Sequence, residues 1–350
     1  LHITYEVCKA MKHLKTIVTG IFLLAFHLET YSATSVLYDS NSLSSSLITA
    51  IEQDKEGYIW IGTEYGLNRF DGISFKEYLQ DEDRYDSIKS NIVRSILCDS
   101  KGRVWIGFLN GIQKYDPATD TFENVSFPDA SYTPNIHEII ELSSGRMLAN
   151  ASILGIFEID PETMTARHLH GINELCGTTR ISTIFSDSNE RLWLSTIDNG
   201  VFCINAKMDR VLSRHFTNTK TNNFGKFGQN RDNVIVLAYD NEVYMFDEVH
   251  KQFIRLDKPA GDRIDAYDII RCRNDNVLIS TLDNGLYRID EDKHSIIPYR
   301  IKYPEGLNRE NAKIVSLMED RHSNLWCGCF QKGLILIRKT DEANFRHWTI

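Results

Sequence analysis

The chain has 350 residues and a formal net charge of −9, with 42% hydrophobic and 25% charged residues. This composition is ordinary for a globular protein and excludes a disordered or collagen-like chain. The negative charge repels phosphate backbones, and no Lys/Arg stripe is interleaved with aromatic residues. We therefore expect no nucleic-acid binding by this region.

The first element predicted along the chain is an export signal. From Met11 the sequence has a basic start, an apolar run over 17–26 and a small-residue end at Ser32 and Ala33. This order is typical of a secretory signal peptide, and the apolar run is too short to span a bilayer. A buried N-terminal helix is the alternative. We predict that 1–33 comprises lead residues and a signal peptide starting at Met11, and that 34–350 is the exported domain.

A block centred on tryptophan then recurs through the chain. It reads GYIWIGTEYGLNRFDG at 57–72, GRVWIGFLNGIQKYD at 102–116 and RLWLSTIDNGVFCIN at 191–205. Seven copies with a period of about 44 residues fit the sequence, a period typical of propeller blades with four strands each. Tryptophan stands in four copies and an aliphatic residue in three, at Trp60, Trp105, Leu148, Trp193, Val236, Leu278 and Trp326.

Each copy has the pattern of a four-stranded antiparallel meander. An apolar run ends in an acidic residue, a turn follows, the tryptophan strand and a glycine come next, and two further strands complete the unit. Inner strands apolar on both faces indicate packing between neighbouring blades, where a tryptophan ring fills the wedge. We predict an all-β fold, a seven-bladed β-propeller. The last residues, NFRHWTI at 344–350, are either the outer strand of blade seven or the start of another module.

The repeated block resembles the two-component regulator propeller repeat. The best match is 48–72, and 99–116, 192–205 and 325–336 are also clear matches. The resemblance implies the extracellular sensor half of a hybrid two-component system of Bacteroidetes. In that family the propellers respond to oligosaccharides and pass the signal through a membrane helix to a histidine kinase. This sequence holds about one propeller and no kinase, so we expect a fragment of a longer sensor.

The resemblance thus implies a periplasmic ligand-sensing propeller without enzymatic activity of its own, in a full-length protein anchored in the inner membrane. The implied partners are an oligosaccharide, acidic sugars included, and the downstream sensor and kinase modules; a homodimer stays open. Two alternatives remain, a carbohydrate-active propeller enzyme of lyase or sialidase type and a protein-binding scaffold. No catalytic residue, cofactor or metal ligand is predicted.

Candidate ligand-binding residues come from the loops that join second to third strands and from the segments that join blades. Arginine forks suit carboxylated or sulfated sugars, and aromatic rings suit pyranose faces. Asn110, Asn199 and Asn284 precede glycine and are interpreted as turn residues. The first set of loops supplies Tyr65, Asp198, Asp283 and Lys332. The inter-blade segments supply Tyr132, His137, Arg180, Arg231, Arg263, Tyr267 and Arg309.

A histidine pair stands apart from these loops. His168 and His170 would place both rings on one face of a strand. A solvated outer strand is favoured over a metal-ligand pair, because no histidine pair recurs at metal-ligand spacing.

Overall fold

The computed structural model describes residues 34–217 and 224–338. The predicted signal peptide and the segment 344–350 lie outside these ranges. Seven four-stranded antiparallel sheets follow one another, and each innermost strand contacts the innermost strands of both neighbouring sheets until the ring closes. The predicted seven-bladed β-propeller is confirmed.

The first four blades contain three of the four copies of the block that have tryptophan. In chain order, β1 (Thr34–Tyr38) is followed by blade one, β2 (Ile48–Gln53), β3 (Ile59–Thr63), β4 (Gly66–Phe70) and β5 (Phe75–Tyr78). Blade two is β6 (Val93–Cys98), β7 (Val104–Phe108), β8 (Gly111–Asp116) and β9 (Thr121–Asn124). Blade three is β10 (Ile136–Glu141), β11 (Met147–Ala151), β12 (Gly155–Asp160) and β13 (Thr165–His168). After helix α1 (His170–Cys176), blade four is β14 (Ile181–Ser186), β15 (Leu192–Thr196), β16 (Val201–Ile204) and β17 (Val211–His215).

The last three blades complete the ring. Blade five is β18 (Lys226–Gln229), β19 (Ile235–Tyr239), β20 (Glu242–Asp247) and β21 (Gln252–Arg255). Blade six is β22 (Ala266–Arg271), β23 (Val277–Thr281), β24 (Leu286–Asp290) and β25 (Ser295–Tyr299). Blade seven is β26 (Ile314–Glu319), β27 (Leu325–Cys329) and β28 (Gly333–Arg338), with β1 as its outer strand.

The pairing of β1 with β28 joins the two ends of the described chain in one sheet. The sequence analysis offered 344–350 as one candidate for this outer strand, but β1 occupies the position. The Tyr38 ring packs against Phe70, Phe75 and Trp326, at centroid distances of 5.6, 5.0 and 6.3 Å. This aromatic cluster binds the outer strand of blade seven to blade one.

Helix α1 lies in the connection between blades three and four and was not predicted. It has seven residues and ends at Cys176, and the following Gly177, with a positive φ of 64°, caps the last turn. In the part of the chain that the structure describes, no helix has the length and apolar character needed to cross a membrane.

Tryptophan rings fill the interfaces between blades. Trp60, Trp105 and Trp193 have 0% of their surface exposed, and Trp326 has 3%. Trp60, for example, lies in one apolar cluster with Val93 and other residues of blade two. Burying such a ring removes roughly 150–250 Å² from water, so these side chains contribute strongly to the blade contacts.

Glycine two positions after the tryptophan allows the next blade to approach. A Cβ atom on Gly62 would lie 2.5 Å from Val93, and one on Gly107 would lie 2.7 Å from Ile136. Both contacted residues begin the innermost strand of the following blade. The close backbone approach expected of glycine within a strand is therefore present.

An aspartate six residues before each of the four inter-blade tryptophans holds the ring in place. The indole N–H donates to a carboxylate oxygen of Asp54, Asp99, Asp187 or Asp320, at 2.7, 2.9, 2.9 and 3.0 Å. The other oxygen accepts backbone N–H groups of the turn between the first two strands. One carboxylate therefore links the turn to the inter-blade ring. The sequence analysis recorded the acidic residue but did not predict this bond.

The aspartate and the tryptophan are present or absent together. In the three blades without tryptophan the aspartate is also replaced, and the pairs are Leu142 with Leu148, Asn230 with Val236 and Cys272 with Leu278. Burial alone would raise the pKa of the Asp99 carboxyl group. At Asp99, hydrogen bonds from the Trp105 indole and from Arg103 outweigh that effect and hold the pKa below its ordinary value.

A second polar cluster joins blades one and two near their outer strands. Asp120 accepts hydrogen bonds from the hydroxyls of Tyr78 and Tyr115, both at 2.7 Å, and pairs with Lys76. Partial burial opposes the charge on this carboxyl group. Hydrogen bonds from Lys76, Tyr115 and Tyr78 nevertheless lower the pKa of Asp120 to about 2.

We predict that Asp187→Ala lowers the free energy of unfolding by about 3 kcal/mol, because it leaves a buried indole N–H and two turn N–H groups without their acceptor. Urea denaturation measures the change. The control is Asp116→Ala, which removes bonds to Ala118 and Thr119 at a more exposed turn and is expected to cost about 1 kcal/mol or less.

The same aspartate allows a double-mutant cycle. Asp187→Leu with Trp193→Leu reproduces the natural pair of blade three, so the double variant is expected to lose less stability than the sum of the two single variants. Additive losses would show that the two side chains are not coupled.

We also predict an acid-dependent contribution from Asp120. A carboxyl group with a lowered pKa in the folded state stabilises the fold above its unfolded pKa of about 4 and loses this contribution as the pH falls toward 2. The stability difference between the wild type and Asp120→Asn, measured by urea denaturation, should therefore shrink from pH 5 to pH 2. A difference independent of pH would contradict this assignment.

Candidate functional site

Two sets of loops lie on the same side of the propeller. In an antiparallel meander the second strand of a blade ends where the third begins, and the fourth strand ends on that same side. We call this side the mouth face. It comprises the connections between blades and the turns at 64–65, 109–110, 152–154, 197–200, 240–241, 282–285 and 330–332.

A cavity of about 770 Å³ lies along the propeller axis and reaches the mouth face. Its walls are the innermost strands of the blades, and residues of the turns at 152–154 and 197–200 also line it. The side chains that line it toward the mouth include Arg94, His137, Arg180 and Tyr267. The cavity is therefore lined by polar side chains, although the strands that form its walls are largely apolar.

Polar side chains inside the cavity connect neighbouring blades. Glu138 accepts the backbone N–H of Ile184 at 2.9 Å, and Asp268 accepts that of Leu317 at 2.8 Å. Each bond runs from the innermost strand of one blade to that of the next. Burial raises the pKa of both carboxyl groups. These carboxylates are used for structure, because their hydrogen bonds are already made within the ring.

Glu52 lies in the same cavity, on β2. Burial, with the charge of Asp268 adding to it, raises the pKa of Glu52 to about 7, against the opposing effect of a backbone hydrogen bond from Gln53. This carboxyl group therefore titrates near neutral pH.

Three predicted residues line the cavity near its mouth. His137 and Tyr267 are the second residues of β10 and β22, and Arg180 directly precedes β14. Arg180 pairs with another predicted residue, Asp198, at 3.4 Å. Burial lowers the pKa of His137, and the positive charge of Arg94 lowers it further. The imidazole is therefore neutral near pH 7.

Seven predicted residues lie on the mouth face without lining the cavity, Asp198, Arg263 and Arg309 among them. Tyr65, Asp283 and Lys332 belong to second-to-third strand turns, and Tyr132 belongs to the connection into blade three. Tyr65 and Tyr132 are 58% and 49% exposed, so they are available to a ligand larger than the cavity mouth.

Arg263 and Arg309 lie in blade connections as predicted. The guanidinium group of Arg309, however, already forms hydrogen bonds and an ion pair within the protein. It donates to the carbonyl of Asn284 and to the hydroxyl of Tyr287, both at 2.6 Å, and pairs with Asp262 at 3.4 Å. The carbonyl of Arg263 accepts the side-chain amide of Asn284 at 3.0 Å. Asn284 therefore has the structural role expected of a turn residue.

The placement of Arg231 was wrong. It lies in the turn between β18 and β19, on the side opposite the mouth face, where its closest carboxylate is Asp232 at 3.8 Å. Blade five lacks the tryptophan motif, so its first turn looks like a blade connection in the sequence. Asn230 occupies the aspartate position there and shows that this segment is a first-to-second strand turn.

The sequence analysis missed most of the apolar side chains on this face. Of the 14 large apolar side chains exposed in the described ranges, nine lie on the mouth face. The sequence signal for these side chains is an apolar residue in a turn where a polar residue or glycine would suffice. The nine are Tyr65, Leu79, Tyr85, Leu109, Tyr132, Ile153, Phe224, Tyr267 and Phe330.

Two arginine side chains that line the cavity form ion pairs with carboxylates on the mouth face. Arg94, which was not predicted, donates to Glu64 at 2.7 Å, as Arg180 pairs with Asp198. Burial and the nearby Asp283 raise the pKa of Asp265, which also lines the cavity. Within 34–217 and 224–338, no group of three or more His, Cys, Asp or Glu side chains is arranged to hold a metal ion.

Known proteins share both the repeat and the fold. The family described as "Two component regulator propeller" matches residues 42–65 and 87–110. A curated relative, histidine kinase P4 of Formosa agariphila, is 55% identical over 38 residues, which are 11% of this chain and 3% of that protein. The chain therefore spans a small part of this relative.

Two solved structures show the same fold. The extracellular domain of a protein described as a hybrid two-component system from B. thetaiotaomicron has a TM-score of 0.75 at 19% identity, over 88% of this chain and 42% of that one. Virginiamycin B lyase from Staphylococcus aureus has a TM-score of 0.68 at 13% identity, over 87% of this chain and 98% of that one. Sensor and lyase propellers thus share this architecture.

The matched residues cover the first two strands of blades one and two and include the Asp54–Trp60 and Asp99–Trp105 pairs. The resemblance predicted from the sequence is therefore confirmed for these two segments, which match the two-component regulator propeller repeat.

Proposed function

We propose that this chain is a ligand-sensing propeller that binds an oligosaccharide at the mouth of its axial cavity. The observation that carries the proposal is the concentration of exposed apolar side chains on the face where the polar cavity opens. Three of these side chains, Ile153, Phe224 and Tyr267, line the cavity itself. Ligand sites combine apolar surface with a few convergent polar groups.

A sugar ring matches this combination. Its C–H faces pack on apolar rings such as Phe224 and Tyr267, which are 62% and 38% exposed. Its hydroxyl groups both donate and accept hydrogen bonds, so they suit a rim on which guanidinium and carboxylate groups alternate, as at Arg180 and Asp198.

The paired charges favour a neutral sugar over a sulfated one. Arg94 and Arg180 each have a carboxylate partner, so a polyanion would displace Glu64 or Asp198 and leave that carboxylate without its partner. Asp265 and Asp283 add negative charge to the rim. We therefore propose a neutral oligosaccharide as the ligand, in place of the acidic sugar that the arginine residues suggested.

We further propose that the full-length protein is periplasmic at this domain and passes the binding signal to a histidine kinase. Support comes from the 38-residue match to histidine kinase P4 and from the likeness to the extracellular domain of a hybrid two-component system. The kinase and the membrane anchor would belong to other parts of that protein.

Calorimetric titration of the purified chain with neutral and sulfated oligosaccharide panels tests the site. We expect saturable binding of a neutral sugar, weakened about tenfold by Tyr267→Ala and by Arg180→Ala, which corresponds to about 1.4 kcal/mol for each variant. Ile73→Ala and Val249→Ala are matched controls, because both residues are exposed on the opposite side and should leave the affinity unchanged.

Other results would contradict the proposal. Equal weakening by the controls would place the ligand elsewhere. Release of new sugar products during the titration would indicate a carbohydrate-active enzyme, and the absence of any sugar binding would favour a protein-binding scaffold.

A further inference from the structure

Two histidine side chains meet where blade three passes into blade four. His168 ends β13 and His170 begins α1, and Nδ1 of His168 lies 3.1 Å from Nε2 of His170. The sequence analysis expected both rings on one strand face in solvent. Because the chain enters the helix after His168, the two rings instead contact each other, with their centroids 3.8 Å apart.

The surroundings of His168 favour one tautomer. Its Nε2 lies 2.7 Å from the carbonyl oxygen of Leu154, which only accepts hydrogen bonds. Asn173 Nδ2 lies 3.1 Å from the same Nε2, but it also donates to the Leu154 carbonyl, at 3.0 Å. The carbonyl oxygen is the nearer partner, so we assign the proton to Nε2, which leaves the lone pair of Nδ1 on the side of His170. A histidine that donates one ring N–H to a backbone carbonyl while the other nitrogen is free has the arrangement usual for a metal ligand.

Neighbouring side chains hold the His168 ring in this orientation. The ring stacks on Phe157 with a centroid distance of 4.7 Å and an interplanar angle of 29°. Asp129 accepts the backbone N–H of His168 at 3.2 Å and is a negative charge close to the pair. His170 is exposed, so an ion from solvent reaches its Nε2. The first nitrogen is thus preorganised and the second is accessible.

We propose that Nδ1 of His168 and Nε2 of His170 bind one transition-metal ion of the Zn²⁺, Ni²⁺ and Cu²⁺ class, with water in the remaining positions. Imidazole nitrogen suits these ions, and metal–nitrogen distances of about 2.0–2.1 Å allow two nitrogens 3.1 Å apart to bind the same ion. The metal replaces the proton that otherwise links the two rings. The site stands independently of the proposed oligosaccharide site.

The test is calorimetric titration of the untagged, metal-free chain with ZnCl₂ and NiCl₂. We expect one ion to bind per chain, with the affinity lowered at least tenfold in His170→Ala and in His168→Ala. His250→Ala is the matched control, since His250 is also exposed and contacts a carboxylate, Asp247, at 2.6 Å, yet has no second histidine within this contact. Its affinity for the metal should equal that of the wild type.

His170→Ala is the decisive variant, because His168→Ala also removes the bond to Leu154 and can disturb the local fold. Circular dichroism of His170→Ala should match the wild type. Unchanged Zn²⁺ affinity in His170→Ala, or no binding of Zn²⁺ and Ni²⁺ by the wild type, would overturn the proposal. A loss as large in His250→Ala would equally overturn it, since the binding would then not depend on this pair.

Discussion

The bond between a buried aspartate and a buried indole is the interaction on which this propeller depends. In four blades the carboxylate closes the first turn through backbone N–H groups and also orients a tryptophan that fills the gap to the next blade. Local turn geometry and inter-blade packing are therefore set by the same group. A buried carboxylate is costly unless its hydrogen bonds are complete, which explains why the aspartate and the tryptophan are lost together in three blades.

Ring closure and blade-to-blade hydrogen bonds leave the mouth face free for function. Glu138 and Asp268 bind the backbone of the following blade inside the cavity, and β1 completes the sheet of blade seven. The loops on the mouth face take no part in these two interactions. Apolar side chains such as Ile153 and Phe224 are consequently exposed there without a packing reason, which supports the proposed ligand site.

The candidate site was only partly predictable from the sequence. His137, Arg180 and Tyr267 were found because they begin innermost strands after a recognisable repeat. Arg231 was misplaced because blade five lacks the tryptophan that sets the register. Arg309 was named correctly as an inter-blade residue, but its bond to Tyr287 depends on a contact between blades that no local pattern reports. Arg94, the second residue of β6, holds the position that His137 and Tyr267 hold in their blades, but it was counted in the apolar run of blade two and was therefore missed.

The sequence by itself determined the seven blades, their strand order and the resemblance to the regulator propellers, because a repeat of strands, turns and tryptophans is written in local residue order. Only the tertiary structure decided which residues face the cavity, that β1 closes the ring and that His168 meets His170. These features depend on how blades far apart in the chain curve around a common axis, or on the short helix α1 that turns the chain after β13. Neither is encoded in the periodicity of a single repeat.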